Sequence, residues 1–282
     1  MVVYSLIRLY VFEGGLLKTL YGETYTRLSE INRKGFLNHH IAGITKIIIL
    51  ILAAYPFISV VFRKADYHTP FAPESSIKMG DVLIIVAQML IGMYIFELIY
   101  RTKISPVSIV HHIGTIAIGQ AAIAINLNLA REKDGSIEFL LCLVWGMSIR
   151  SVLISFIQGS TADMTTGAFD TVAELFPHVA IVLYRIYPTS HTFLAKVFGL
   201  ACFLTLMGTL WETIVTMYLF GSLWDRWIIA FKIVTPLLHM AFSAAQLHGS
   251  WIFYKMWRKE RRLIYQEKAA SRNEERVVAA AG

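Results

Sequence analysis

Charge is scarce in this chain: Asp, Glu, Lys and Arg make up 16% of its 282 residues, where a soluble domain carries about a quarter. Between Ile41 and Trp257 no long polar stretch and no Pro/Gly/Ser-rich linker interrupts the sequence, which argues against a string of soluble domains. Cysteine is limited to Cys142 and Cys202, both in apolar runs, where they suit small buried hydrophobes better than a disulfide or a metal clamp. A Gly-rich phosphate loop and a Ser nucleophile elbow are also missing. These gaps remove the common soluble-enzyme readings.

What the chain has instead is apolar side chain, with 56% hydrophobic residues and a mean hydropathy of +0.57. A spanning helix needs about 20 mostly apolar residues, and candidates fall near 41–62, 79–99, 104–127, 138–158, 168–187, 193–220 and 228–256. The expected fold is therefore an all-α integral membrane protein of about seven spans, with a six-span count kept open. The fifth segment is the weakest, because Asp170, Glu174 and His178 make it too polar to face lipid; it would have to face other helices. Residues 1–40 carry Arg8, Glu13, Lys18, Glu23, Arg27 and Glu30 and suit an interfacial amphipathic segment. Residues 41–257 form the bundle, and 258–282 form a basic tail.

The tail holds Arg258, Lys259, Arg261, Arg262, Lys268, Arg272 and Arg276 and accounts for much of the +7 net charge. The positive-inside rule puts it in the cytosol. With seven spans the N-terminus is then on the other side, and Arg101 and Lys103 fall on the wrong one. Nucleic-acid binding is a poor reading of this charge, whose usual role is topological.

Residues three, four and seven apart share a helix face, so a polar stripe on an apolar helix must turn inward. Ser108, His111 or His112, Thr115 and Gly119 form one stripe; Ser148, Ser151, Ser155 and Gln158 form another. Asp170, Glu174 and His178 follow at steps of four, then Thr205, Thr209, Glu212 and Thr216, then Thr235, His239, Ser243, Gln246 and Ser250. Small hydroxyl residues by themselves are ordinary helix-packing groups in membranes. The ionisable members His111, His112, Glu174, His178, Glu212 and His239 demand more, since each must be accommodated in hydrocarbon. A shared polar internal cavity follows. Arg150, in the middle of the fourth segment, needs a partner such as Glu174 or Glu212, and that pair can be purely structural.

The adjacent imidazoles His111-His112 are the most informative of these groups. Glu97-Leu98-Ile99-Tyr100-Arg101, followed by Ser105-Pro106-Val107-Ser108-Ile109-Val110-His111-His112-Ile113-Gly114-Thr115, resembles the central block of the TLC domain, the family of TRAM and the ceramide synthases. In that family a short loop leads into a helix bearing paired histidines and a nearby Thr or Ser, within a multi-spanning lipid-associated bundle. The resemblance covers about residues 41–257 and implies an endoplasmic-reticulum or other internal membrane, and lipid acyl transfer, lipid binding or lipid transport. Ceramide synthases also carry an acidic motif downstream; Asp163, Asp170 and Glu174 lie in the corresponding region but do not reproduce it. That departure implies a divergent or non-ceramide member.

An imidazole with a pKa near about 6.5 accepts a proton from an amine or hydroxyl nucleophile, and a carboxylate can orient it and stabilise the imidazolium. In the enzyme reading His111 or His112 is the base or a transient acyl acceptor, and Asp170 or Glu174 orients it. Ser108, Thr115 or Arg150 then helps bind the thioester or headgroup, with His178, Glu212 and His239 as further cavity groups. No bound cofactor or metal is expected; acyl-CoA is the co-substrate by resemblance, and a membrane lipid is the partner. In the alternative reading, a lipid-binding, lipid-transport or lipid-homeostasis protein uses the same cavity without chemistry. Haem ligation by His112, His178 and His239, a di-iron centre and a retinal site are weaker readings. His39-His40 is placed ahead of the first span, and His68 and His191 in solvated loops.

Overall fold

The computed structural model describes residues 2–61, 64–128, 169–222, 224–226 and 229–281, and among these it contains helices and a single isolated β-bridge, Pro70 to Lys78. The expected fourth segment, with Ser148, Arg150, Ser151, Ser155 and Gln158, lies outside the described residues, as do Asp163 and Cys142. We number the helices α1 (Val2–Leu6), α2 (Leu17–Thr26), α3 (Glu30–Val61), α4 (Met79–Tyr100), α5 (Pro106–Asn128), α6 (Phe169–Ile186), α7 (His191–Ser222) and α8 (Ile229–Ala281). A π-helical turn, Ile7–Leu16, joins α1 to α2.

Three of the described helical stretches are long and apolar enough to cross a membrane: Glu30–Pro56, Met79–Tyr100 and His191–Tyr218. Their outer faces are apolar. Ile44, Ile47, Ile51 and Tyr55 on α3, and Leu200, Phe203, Leu206, Leu210 and Ile214 on α7, are exposed large hydrophobics. Rows of that kind exceed what a water-soluble monomer presents, and they mark a helical membrane protein.

Each neighbouring pair of helices from α3 to α8 runs antiparallel. Phe36, Leu37 and Ile41 near the start of α3 pack with Met93, Tyr94 and Phe96 near the end of α4, while Ile49, Ala53 and Val60 meet Met79, Leu83 and Val86. Gln88 on α4 and Gln120 on α5 exchange amide hydrogen bonds of 3.4 and 3.1 Å. The C-terminal end of α6 returns to the start of α3, where the Arg185 guanidinium donates to the Asn32 carbonyl at 2.9 Å. Ala180 and Tyr184 of α6 pack on Leu194 and Phe198 of α7, and α7 in turn lies along α8.

Local sequence sets the helix ends. Ser105 and Pro106 start α5: the Ser105 hydroxyl accepts the Ser108 amide at 3.1 Å, and proline occupies the first helical position, where its missing N–H is no loss. At the head of α4 the Asp81 carboxylate accepts the Lys78 amide at 2.8 Å. The loop before it folds tightly enough that a Cβ on Gly80 would stand 3.0 Å from the Tyr67 carbonyl oxygen, so glycine is required by close approach.

Two features depart from the sequence expectation. The N-terminal segment is a set of short helical pieces rather than one amphipathic helix, because Gly15 (φ 143°) and Gly22 (φ 51°) turn the chain back. The Tyr4 hydroxyl donates to the Met89 carbonyl at 2.7 Å, and the Tyr100 hydroxyl to Glu13 at 2.9 Å, which tie these pieces to α4. In addition, α3 begins at Glu30, so His39-His40 sits inside the first membrane-length helix instead of ahead of it.

Candidate functional site

Glu97, one turn from the end of α4, organises a polar cleft at the end of the bundle where α4 stops and α5 starts. Its carboxylate is buried; Oε1 is paired with the Arg101 guanidinium one helical turn on, and Oε2 lies 3.5 Å from Nε2 of His112 on α5. Spacing of four along a helix brings Glu97 and Arg101 onto one face. The Ser-Pro start of α5 fixes the phase that presents His112 to that face. The His112 ring stacks on Tyr94 with centroids 4.5 Å apart and planes 24° from parallel, which steadies it beside Glu97.

The cleft has a volume of about 250 Å³, and its walls include Lys46 of α3, Tyr94, Glu97 and Arg101 of α4, Ser108, His111 and His112 of α5, Pro177 and His178 of α6, Thr205 and Thr209 of α7, and Gln246 and Phe253 of α8. Four helices expected from sequence to turn polar faces inward, α5, α6, α7 and α8, thus contribute to one place, together with α3 and α4. His111 packs edge-on against Tyr94 (6.1 Å) and Phe242 (5.0 Å).

Other expected site residues fall as follows. The Thr115 hydroxyl donates to the His111 carbonyl at 2.9 Å, a bond within its own helix. Asp170 and Glu174 stand on α6, and their side chains lie outside the description, as does Arg150. Among the described side chains, the carboxylate beside a cleft imidazole is Glu97. Glu212 is buried and accepts the Gln246 side-chain amide at 2.7 Å, just behind the cleft wall. His239 lies deeper along α8, its Nε2 3.4 Å from the Ser243 hydroxyl. The Ser250 hydroxyl donates to that of Thr205 at 2.9 Å. These bonds make the α7–α8 seam a polar ladder of the sort that holds membrane helices together.

The remaining histidines divide by role. His39 of α3 bonds His178 of α6, Nδ1 to Nδ1, at 2.9 Å. His40 points elsewhere: its Nδ1 donates to the Phe36 carbonyl (2.8 Å), which leaves Nε2 to accept from the Tyr21 hydroxyl (2.8 Å). His191, expected in a solvated loop, opens α7 with Nδ1 2.6 Å from the buried carboxylate of Glu260. His68 is exposed in its loop, as expected. Among the described residues no group of three or more His, Cys, Asp or Glu side chains is placed to hold a metal ion.

Glu97, Arg101 and Lys46 are the cleft groups to which the sequence reading gave no role, and His39 stands behind one of the lining residues, His178. Glu97 and Arg101 were visible as an acid and a base four apart at the end of an apolar run. Lys46 was visible as a lone cation inside one.

Comparison with protein families, with curated proteins and with solved structures finds no match to this chain.

Proposed function

We propose that this protein is a TLC-like membrane enzyme of lipid metabolism that transfers an acyl group from an acyl-CoA thioester to a membrane lipid. The observation that supports it is the carboxylate–imidazole pair at the cleft wall, Glu97 Oε2 and His112 Nε2 at 3.5 Å. Such bonds are often long before substrate arrives and tighten in the complex. In the substrate complex of this reading Glu97 accepts from Nε2–H, which leaves Nδ1 of His112 with the lone pair.

The step then balances. His112 Nδ1 takes the proton of a lipid hydroxyl or amine while that oxygen or nitrogen forms its bond to the acyl carbon. The C–S bond breaks with its electron pair on sulfur, and the imidazolium returns the proton to the thiolate. Arg101 holds Glu97 in place, Tyr94 holds the ring, and Ser108 offers a hydroxyl to the headgroup or thioester. The downstream acidic motif of ceramide synthases is not reproduced, so the acceptor in this reading is a lipid other than the ceramide precursor.

In the topology we propose, the described helices α3 to α8 are six spans of alternating direction. The end that bears Arg33, Lys34, Arg101, Lys103, Arg185 and the tail is then cytosolic, which removes the misplacement of Arg101 and Lys103. Cations lie over aromatic rings at this level: Lys255 over Trp251, Arg258 over Tyr254 and Arg261 over Trp257, at 5.5–5.9 Å. Such pairs suit a headgroup layer. With Arg101 among its lining residues, the cleft lies at this end of the bundle, within reach of an acyl donor from the cytosol, in the endoplasmic reticulum or another internal membrane.

The test is acyl-CoA consumption by the purified protein in liposomes with pooled cellular lipid, beside a His111→Ala/His112→Ala variant. Turnover that the variant loses is expected. No turnover, with a lipid still bound in native mass spectrometry, would replace this reading with a lipid-binding or lipid-transport role for the same cleft.

A further inference from the structure

His39 lies outside the cleft lining, yet it hydrogen-bonds a histidine that belongs to it. The two rings come from α3 and α6, with centroids 5.2 Å apart and Nδ1 atoms at 2.9 Å. Two neutral imidazoles can share such a bond only if one Nδ1 carries its proton and the other does not. Each neutral ring has a single N–H, so the state of one ring dictates the state of the other. When His39 donates, Nδ1 of His178 is bare and its proton resides on Nε2, the nitrogen left for the cleft.

Across the same cleft the logic of His112 is reversed. Glu97 engages Nε2, and Nδ1 is the free atom, a proton acceptor. A cleft lined by His112 on α5 and His178 on α6 brings a base and a donor together. An acyl carbonyl oxygen can only accept, and it gains negative charge as the nucleophile adds.

Resting on the acyltransferase reading above, we infer that His178 is the Nε2–H donor that receives the acyl carbonyl oxygen, and that His39 is the positioning residue that fixes His178 in this tautomer. No proton leaves His178 in the step; it hydrogen-bonds the developing oxyanion more strongly than the ground-state carbonyl, as fixed donors in a dry site do. Proline at 177 precedes it on the cleft wall and gives up no hydrogen-bond donor to the site, which leaves the imidazole as the donor from this stretch of α6.

The experiment uses the full chain in nanodiscs, in two arms. In turnover assays His178→Leu should lower kcat by roughly a hundredfold or more with KM little changed, while His178→Gln, which keeps an N–H, should recover about tenfold of that loss. His39→Leu should lower kcat about tenfold and His39→Gln should restore it. Equal losses for the Leu and Gln variants, or kcat within threefold of wild type for His178→Leu, would overturn the inference. In the second arm, ¹⁵N-histidine spectra of the wild type, with His178 assigned by difference against His178→Gln, should show a protonated Nε2 and a bare Nδ1, and His39→Leu should mix the two tautomers. A protonated Nδ1 in the wild type would overturn the tautomer claim whatever the activity. A wild type that consumes no acyl-CoA would defeat the acyltransferase reading instead, and the spectra would then decide the tautomer by themselves.

Discussion

Glu97 holds Arg101 with one carboxylate oxygen and stands 3.5 Å from His112 with the other, so a single buried side chain couples the end of α4 to α5. Removing it affects two things that different substitutions separate. Glu97→Ala leaves the largely buried Arg101 guanidinium without its counter-charge, and a broken buried pair costs about 3–5 kcal/mol. Glu97→Gln keeps the shape and a hydrogen-bond acceptor but loses the charge that steadies an imidazolium. Thermal unfolding in detergent should show a large loss for Ala and a smaller one for Gln, whereas acyl-CoA turnover should fall at least tenfold in both.

Gly119 makes the approach of α5 to α4 possible. A Cβ there would sit 2.9 Å from Cδ1 and 3.3 Å from Cγ1 of Ile91. The first atom is the end of a flexible side chain, so Gly119→Ala is expected to be tolerated with a small loss offset by helix propensity. Gly119→Leu has no such escape and should cost about 1–3 kcal/mol as overpacking. Unfolding midpoints of the two variants would test the order; equal midpoints would contradict the packing.

At the same end of the bundle, His191 fastens α7 to the long α8 through Glu260, with Nε2 also 3.5 Å from Glu267. Deleting the imidazole by His191→Ala leaves a buried carboxylate unpartnered. Trypsin should then cut after Arg258, Lys259, Arg261 or Arg262 faster than in the wild type, with the remaining bundle intact on a gel.

The loop between α3 and α4 gives a pH effect. The Thr69 hydroxyl and the His68 amide donate to Asp66 at 3.0 and 2.8 Å, and these bonds hold its carboxyl below the ordinary carboxylate range. A depressed folded pKa means that the stabilisation is present above the unfolded pKa and disappears as pH falls through the folded one. Amide exchange at His68 should therefore quicken on acidification below about pH 4, and Asp66→Ala should remove that pH dependence.

Sidedness is measurable as well. With Cys142 and Cys202 replaced by serine, single cysteines at Lys34, Lys103 and Tyr187 should all react with an impermeant maleimide from the side that labels the tail. One at Glu74 should react only from the other side. Labelling of Lys103 and Lys34 from opposite sides would defeat the six-span arrangement.

Much of this was legible in the chain. The apolar runs around α3, α4, α5, α7 and α8 announced themselves, because hydrocarbon tolerates only helices of sufficient length and apolarity. Polar stripes at steps of three and four named His112, His178, Gln246 and Thr205 as inward-facing before any coordinates. The contact of Glu97 with His112 was not legible: which acid reaches an imidazole depends on how neighbouring helices are phased, and α4 packs against α5. His39 was hidden for another reason. The polar residues between Glu30 and His40 hide the helical start of α3 from a hydropathy reading, although the helix continues through them.

The consecutive histidines on α3 also bear on how that helix can move. Successive residues on a helix point about 100° apart, so the bond from His40 to Tyr21 and the bond from His39 to His178 pull on α3 from two directions around its axis. Rotation that eases one stretches the other. The helix is thereby clamped against turning, with Tyr21 of α2 as one jaw and His178 of α6 as the other.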